Sequence, residues 1–311
     1  KLQTLAFAQG VALSHDSLWR SIFQRPTTNI NDEKNAEKAK RLLGQLLFSD
    51  TRLSGNRQRA CSSCHRPEMS FTDGRQKPLG LNGQSLERNT PHLWNLAEAK
   101  AFFWDGRAPT LQSQARFPLY ATQELSVDMP RALQEFSEDA TFVEIFTRAF
   151  PEEKRITEEQ ILEALVAYEK SLISPETRFD FWVRGKDEAL SEVEKNGLKI
   201  FVGKGGCVSC HGGWRFTDDQ FHDIGLESSD LGRNALGNRN ATNPSFKTPS
   251  LRQISQTAPY MHDGSLGTLE DVILHYTQKI TLRPSLSPTL VQDLNLDMEE
   301  KAALLAFLKT L

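Results

Sequence analysis

The 311-residue sequence predicts a mainly α-helical protein built from two tandem copies of one unit. Three observations carry that reading. Apolar residues recur at helical spacing in several segments, whole blocks of sequence repeat in the same order in both halves, and all four cysteines fall in two copies of one five-residue pattern.

The helical segments come first. Ala36, Ala39, Leu42, Leu43, Leu46 and Leu47 follow a 3.6-residue period, with Asn31 or Asp32 as the cap. Residues 158–172 place Ile161, Leu162, Leu165, Val166 and Tyr168 at similar spacing, and residues 298–311 repeat that pattern. Loops rich in Gly, Asn and Pro, such as 73–91 and 225–249, separate the blocks. No segment alternates long enough to predict a large sheet.

The repeats fall in three blocks. Cys61 and Cys207 lie 146 positions apart, and Phe71-Thr72-Asp73 recurs as Phe216-Thr217-Asp218. At an offset of 158, Thr90-Pro91 and Leu93 match Thr248-Pro249 and Leu251, Asp105-Gly106 matches Asp263-Gly264, and Thr110-Leu111 matches Thr268-Leu269. At 139, the block around Leu165, Tyr168 and Leu172 matches that around Leu304, Phe307 and Leu311. The boundary between the copies is expected near Ser174-Pro175, giving residues 1–174 and 175–311.

Composition narrows the class. The chain is 38% apolar and 25% charged, with a mean hydropathy of −0.47, as in ordinary water-soluble proteins. Its longest purely apolar run, Ala302 to Leu308, is too short to span a membrane. A net charge of −3 advertises no nucleic-acid surface. The start, Lys1-Leu2-Gln3, has no apolar signal core, so any leader is expected to have been removed.

The cysteine pattern is Cys61-Ser62-Ser63-Cys64-His65 and Cys207-Val208-Ser209-Cys210-His211. A zinc site would have to join pairs 146 positions apart and leave both histidines as coincidences. A thioredoxin-like dithiol needs no histidine and is not expected twice. Cys-x-x-Cys-His is the attachment signature of haem c, and two copies use every cysteine. Each pair of thiols would form thioethers to a haem, and His65 and His211 would bind the irons. The fold class becomes two tandem cytochrome c-like domains, each with one covalent haem c. Attachment of haem c in bacteria occurs outside the cytoplasm, so a periplasmic protein is expected.

What covers the far face of each iron decides the chemistry: two protein ligands suit electron transfer, and an open face suits small-molecule activation. The repeat pairs Pro118 with Tyr276 and Trp104 with His262. Proline cannot ligate iron and a phenolate can. The first haem is therefore expected to be open and the second capped by Tyr276, with His275, His262 and Met261 as rival ligands. His15, His92 and His222 are expected to make ordinary hydrogen bonds, and Met69, Met129 and Met298 to pack.

Two stretches resemble the bacterial dihaem cytochrome c peroxidase and MauG family. One runs from Asn89-Thr-Pro-His-Leu-Trp94 through Phe103-Trp104-Asp105-Gly106-Arg107 to Gln114, Pro118 and Glu124. The other runs from Lys247-Thr-Pro-Ser-Leu251 through Ala258-Pro259-Tyr260-Met261-His262-Asp263-Gly264. The resemblance implies that Glu124 is the acid–base group over the open haem, with Gln114 and Pro118 beside it. It implies that Trp104 lies between the haems, and that Asn89, Thr257 and Pro259 hold a calcium ion through oxygen atoms. It also aligns Tyr276 with a position that is Met in typical peroxidases and Tyr in MauG.

Two departures qualify the likeness. No histidine lies between His65 and His92, where many of these peroxidases carry one that closes the first haem, so an iron open at rest is expected. Gly205 stands where MauG has a Trp that draws electrons from a protein substrate, and Trp214 lies just past the motif. The expected function is reaction with hydrogen peroxide at the N-terminal haem, with electrons passing through the C-terminal haem, whose phenolate favours a high-valent state. A small c-type cytochrome, a copper protein or a protein substrate is the expected donor. Alternatives are a MauG-type oxidase that modifies a partner protein, a dihaem electron carrier, and a haem sensor.

Overall fold

The computed structural model describes residues 15–27, 35–237 and 243–311; the expected caps Asn31 and Asp32 and the side chain of His15 lie outside them. Ten α-helices make up the described fold: α1 (His15–Phe23), α2 (Asn35–Phe48), α3 (Leu111–Tyr120), α4 (Met129–Glu138), α5 (Ala140–Ala149), α6 (Glu158–Lys170), α7 (Arg178–Val183), α8 (Glu192–Val202), α9 (Leu269–Gln278) and α10 (Met298–Leu308). Among the described residues the only sheet is a pair of two-residue strands, β1 (Phe221–His222) and β2 (Phe246–Lys247). They run antiparallel, with Phe221 opposite Lys247 and His222 opposite Phe246.

The duplication is visible in the packing. In the first copy α2 crosses α6, and in the second α8 crosses α10. Both crossings run over a glycine. A Cβ on Gly44 would lie 1.9 Å from the Ala164 carbonyl oxygen, and one on Gly197 would lie 2.0 Å from that of Ala303. Close backbone approach of this kind requires the missing side chain. Beside each crossing an aromatic pair repeats: Phe48 on Tyr168 and Phe201 on Phe307, with ring centroids 5.2 Å apart in both. Helices α3 and α9 span the same ten positions, 158 residues apart. Each is started by a threonine capping box, Thr110 with Ser113 and Thr268 with Asp271.

Two hydrophobic cores result. One gathers Leu43, Leu47, Phe48, Leu119, Phe136, Phe146 and Ile161, from α2 to α6. The other gathers Phe179, Trp182, Leu198, Phe201, Phe216 and Phe307, together with Phe23 of α1. Helix α1 thus falls within residues 1–174 in sequence yet packs on the second core, where Phe23 stacks on Phe216 at 4.7 Å. Arg25 fixes this crossing by donating to Asp180 at 2.8 Å and to the Ser174 carbonyl at 2.8 Å. Helices α4 and α5 belong to the first copy alone; between α9 and α10 the second has turns and coil. No described helix is long and apolar enough to cross a membrane.

Candidate functional site: two cysteine–histidine motifs around one cavity

Each motif occupies one 3₁₀ turn, Cys61–Ser63 and Cys207–Ser209. The His65 amide donates to the Cys61 carbonyl at 2.9 Å, and the His211 amide donates to that of Cys207 at 2.8 Å. The imidazoles are oriented identically: His65 Nδ1 lies 3.0 Å from the Phe71 carbonyl and His211 Nδ1 lies 2.9 Å from that of Phe216. Phe71 and Phe216 both adopt left-handed backbone, at φ 62° and 55°, a costly conformation for a bulky residue that recurs at the same place in each copy. An imidazole whose Nδ1–H is donated to a carbonyl presents the Nε2 lone pair to a metal. Burial also holds both imidazoles below the usual histidine pKa, in the neutral form a metal requires.

The competing cysteine chemistries do not fit. All four thiols are unpaired. Burial pushes those of Cys61 and Cys207 up to about 12, the reverse of the lowered values that make dithiols reactive. The two cysteine pairs are not gathered into one site among the described residues, where the sole cluster with metal-binding potential is Cys210, Asp218 and His222. Both motifs instead line one cavity of about 750 Å³. Thr90 Oγ1 and Trp94 Nε1 are buried without hydrogen-bond partners, on residues that line it. Orphaned polar groups call for a polar occupant. The donor sets, the cavity and these orphans fit two covalently held haems and their carboxylates.

On the first copy's side, Gln114 and Pro118 of α3, with Glu124 in the turn that follows, line the cavity. Glu124 is placed by its own amide, which donates to the Ala121 carbonyl at 2.9 Å. Burial raises its carboxyl above the usual carboxylate range, and Arg107 opposes the rise. Arg107 anchors its loop by pairing with Asp105 at 2.9 Å and lying 3.6 Å over the Phe103 ring. Trp104 sits where the copies meet: its Nε1 donates to the Asn89 carbonyl at 2.9 Å, and its carbonyl accepts from the Lys247 amide at 2.8 Å.

On the second copy's side, Tyr276 of α9 lines the cavity with Cys207, Cys210 and His211. Burial raises its phenol above the usual tyrosine pKa, so only a strong local positive charge, such as a metal, would favour the phenolate. The rival nitrogens are engaged. His275 Nε2 lies 3.0 Å from the Ile224 carbonyl, and His262 stacks on Phe246 at 3.6 Å with Nε2 3.0 Å from Ser228 Oγ. Met261 also lines the cavity.

Asn89, Thr257 and Pro259 line the same cavity. Asn89 Nδ2 donates to the Arg75 carbonyl at 2.9 Å and to that of Gln76 at 3.2 Å, which leaves Oδ1 for a cation. His92 and His222 make ordinary hydrogen bonds, to the Ser250 carbonyl at 3.2 Å and to Asp218 at 2.8 Å. Met129 packs in the first core, whereas Met298, at the exposed start of α10, is 80% accessible and packs on little.

At Gly205, a Cβ would lie 2.9 Å from the Ile200 carbonyl oxygen, so the backbone there is too tight for any side chain without movement. Trp214 instead bridges the copies, donating to Glu98 at 3.1 Å. Sequence reasoning missed Arg88, which joins the copies by pairing with Asp105 at 2.6 Å and with Asp230 at 2.6 Å. It also missed the buried Glu169. Nothing in the repeat marks either residue.

Comparison with known proteins places this geometry in a family. Residues 38–188 match the model of the di-haem cytochrome c peroxidases. The chain is 39% identical over 293 residues to the methylamine utilization protein MauG of Methylorubrum extorquens, covering 93% of this chain and 83% of that one. It is 32% identical over 243 residues to the cytochrome c551 peroxidase of Pseudomonas aeruginosa, covering 75% and 70%. The crystal structure of a MauG-like protein associated with microbial copper homeostasis superposes with a TM-score of 0.82 at 30% identity, covering 97% of this chain and 95% of that one. The chain belongs to the dihaem cytochrome c peroxidase and MauG family, whose two haem c groups suit the two motifs. It is a peroxidase-type oxidoreductase.

Proposed function

We propose that this protein reduces hydrogen peroxide at the haem held by Cys61, Cys64 and His65. Electrons reach that haem through the second, held by Cys207, Cys210 and His211 and capped by Tyr276. One observation carries the reading. Helices α3 and α9, equal in span and in cap, present Pro118 to the cavity in one copy and Tyr276 in the other. When bound, a haem iron with a vacant face supplies the two-electron reduction of peroxide to water.

The chain supplies the rest. Pro118 offers no ligand atom and leaves space. The Gln114 amide hydrogen-bonds the incoming peroxide. Glu124 takes the proton from the near peroxide oxygen and returns it to the leaving oxygen, a contribution of roughly 10²–10⁴-fold. Trp104 lies between the two sites as an electron relay. Asn89, Thr257 and Pro259 hold calcium at the junction of the copies, residues 1–174 and 175–311. The donor is a small c-type cytochrome, a copper protein or a protein substrate, met in the periplasm. A phenolate on the second iron favours its oxidised state and so a MauG-like use of the two oxidising equivalents.

Electron paramagnetic resonance of the resting holoprotein, followed by peroxide titration, tests this. One high-spin and one low-spin ferric signal are expected, with two electrons consumed per peroxide. Two low-spin signals and no peroxide reaction would overturn it.

A further inference from the structure

The two copies cross-bond reciprocally. The Asn89 amide donates to the His262 carbonyl at 2.7 Å, and the Lys247 amide donates to the Trp104 carbonyl at 2.8 Å. Asn89 and Lys247 stand 158 positions apart, as do Trp104 and His262, so the two bonds are equivalents across a pseudo-twofold axis. The side chains at the two ends differ: a neutral amide on one and an ammonium on the other.

That ammonium has little to hold it. Lys247 lines the cavity, and its side chain is only 17% exposed. Its nearest carboxylate oxygen is Asp219 Oδ1 at 3.8 Å, beyond hydrogen-bonding distance, and that oxygen has no hydrogen-bond partner of its own. Asp219 is engaged by Arg215 through its other oxygen, and Asp218 by His222. With Arg215 on Asp219 and His222 on Asp218, Lys247 is the group of this set left without a bonded anion among the described residues. A mostly buried ammonium without a hydrogen bond is unfavourable, and an anion in the cavity relieves it.

We infer that Lys247 binds a propionate carboxylate of the second haem and supplies, at its end of the pseudo-twofold, the fixed positive charge for which Asn89 at the other end needs a cation. The inference rests on the two-haem part of the proposed function and not on its peroxide chemistry. Replacing the ammonium removes positive charge beside the second haem and makes its iron harder to reduce.

The test is spectroelectrochemical titration of the holoprotein, wild type against Lys247→Met and Lys247→Arg, without peroxide. Lys247→Met is expected to disfavour reduction of the second haem roughly tenfold, about 59 mV for one electron, while Lys247→Arg stays near wild type. If Lys247→Met loads haem poorly, Lys247→Gln carries the same expectation. An unchanged second-haem potential in a fully loaded neutral variant overturns the inference, as does a shift confined to the first haem. A wild type that ignores peroxide yet shows the shift would sink the proposed function and leave this assignment standing.

Discussion

Pro118 and Tyr276 occupy the same position in two copies of one helix, eight places after the capping threonine in each, and both line one cavity. One copy brings a ring without a donor to that cavity and the other brings a phenol. The difference between the two sites is a difference in side chain on equivalent backbone.

Tyr276→Phe removes the phenol oxygen and keeps the ring. The second haem is expected to lose its low-spin ferric signal, with little change at the first. Resting electron paramagnetic resonance and visible spectra read this out, and an unchanged second-haem signal would mean that another group, Met261 first, caps the iron.

Glu124 has its carboxyl raised by burial, so it is protonated further up the pH scale than an ordinary glutamate. A base must be ionised to accept a proton. The wild-type rate of reaction with peroxide is therefore expected to rise with pH through that raised pKa and then level off. Glu124→Gln is expected to slow the reaction by about 10²–10⁴-fold and to flatten the profile. Stopped-flow kinetics across pH provides the measurement, and chemical reduction of the second haem serves as the unaffected control.

Glu169 is buried on α6 with Oε2 unpartnered, and burial raises its carboxyl from 4.5 to about 8. The folded state thus holds this proton more tightly than the unfolded chain. Its contribution is undiminished below about pH 4.5 and is lost as pH climbs towards 8, at no more than about 1.4 kcal/mol per pH unit. Glu169→Gln removes the titration. Denaturation midpoints of the two proteins are expected to diverge between pH 5 and 8, with the variant the more stable at the alkaline end.

Gly44→Ala and Gly197→Ala each place a methyl within about 2 Å of a carbonyl oxygen on the facing helix. Each helix pair must spread, at a cost of about 1–3 kcal/mol, occasionally more. Urea denaturation of the holoprotein should show similar losses for the two variants, since the crossings are equivalent. A neutral substitution at either site would mean that the helices are free to slide apart.

Much of the site could be read from residue order. Cys-x-x-Cys-His twice, with a shared offset linking Pro118 to Tyr276, is local information, and the helices at 35–48, 158–170 and 298–308 follow from apolar periodicity. The signals for α4 and α5 are just as local: Asp128 and Asp139 cap them, and Phe136, Phe142 and Phe146 form their buried faces. Repetition does not mark them, because only one copy possesses them. The tie between Arg88 and Asp230 spans 142 positions with no repeat to mark it.

By itself the sequence determined that there are two attachment motifs in two related units, because covalent chemistry and helix periodicity depend on spacing along the chain. Only the tertiary structure decided that both motifs open onto one cavity, that α1 packs on the far core, and that Lys247 is left beside a carboxylate it does not reach. Those facts depend on which surfaces meet when distant segments pack. Charges and backbone groups from separate parts of the chain acquire or lose partners only when water is excluded between them.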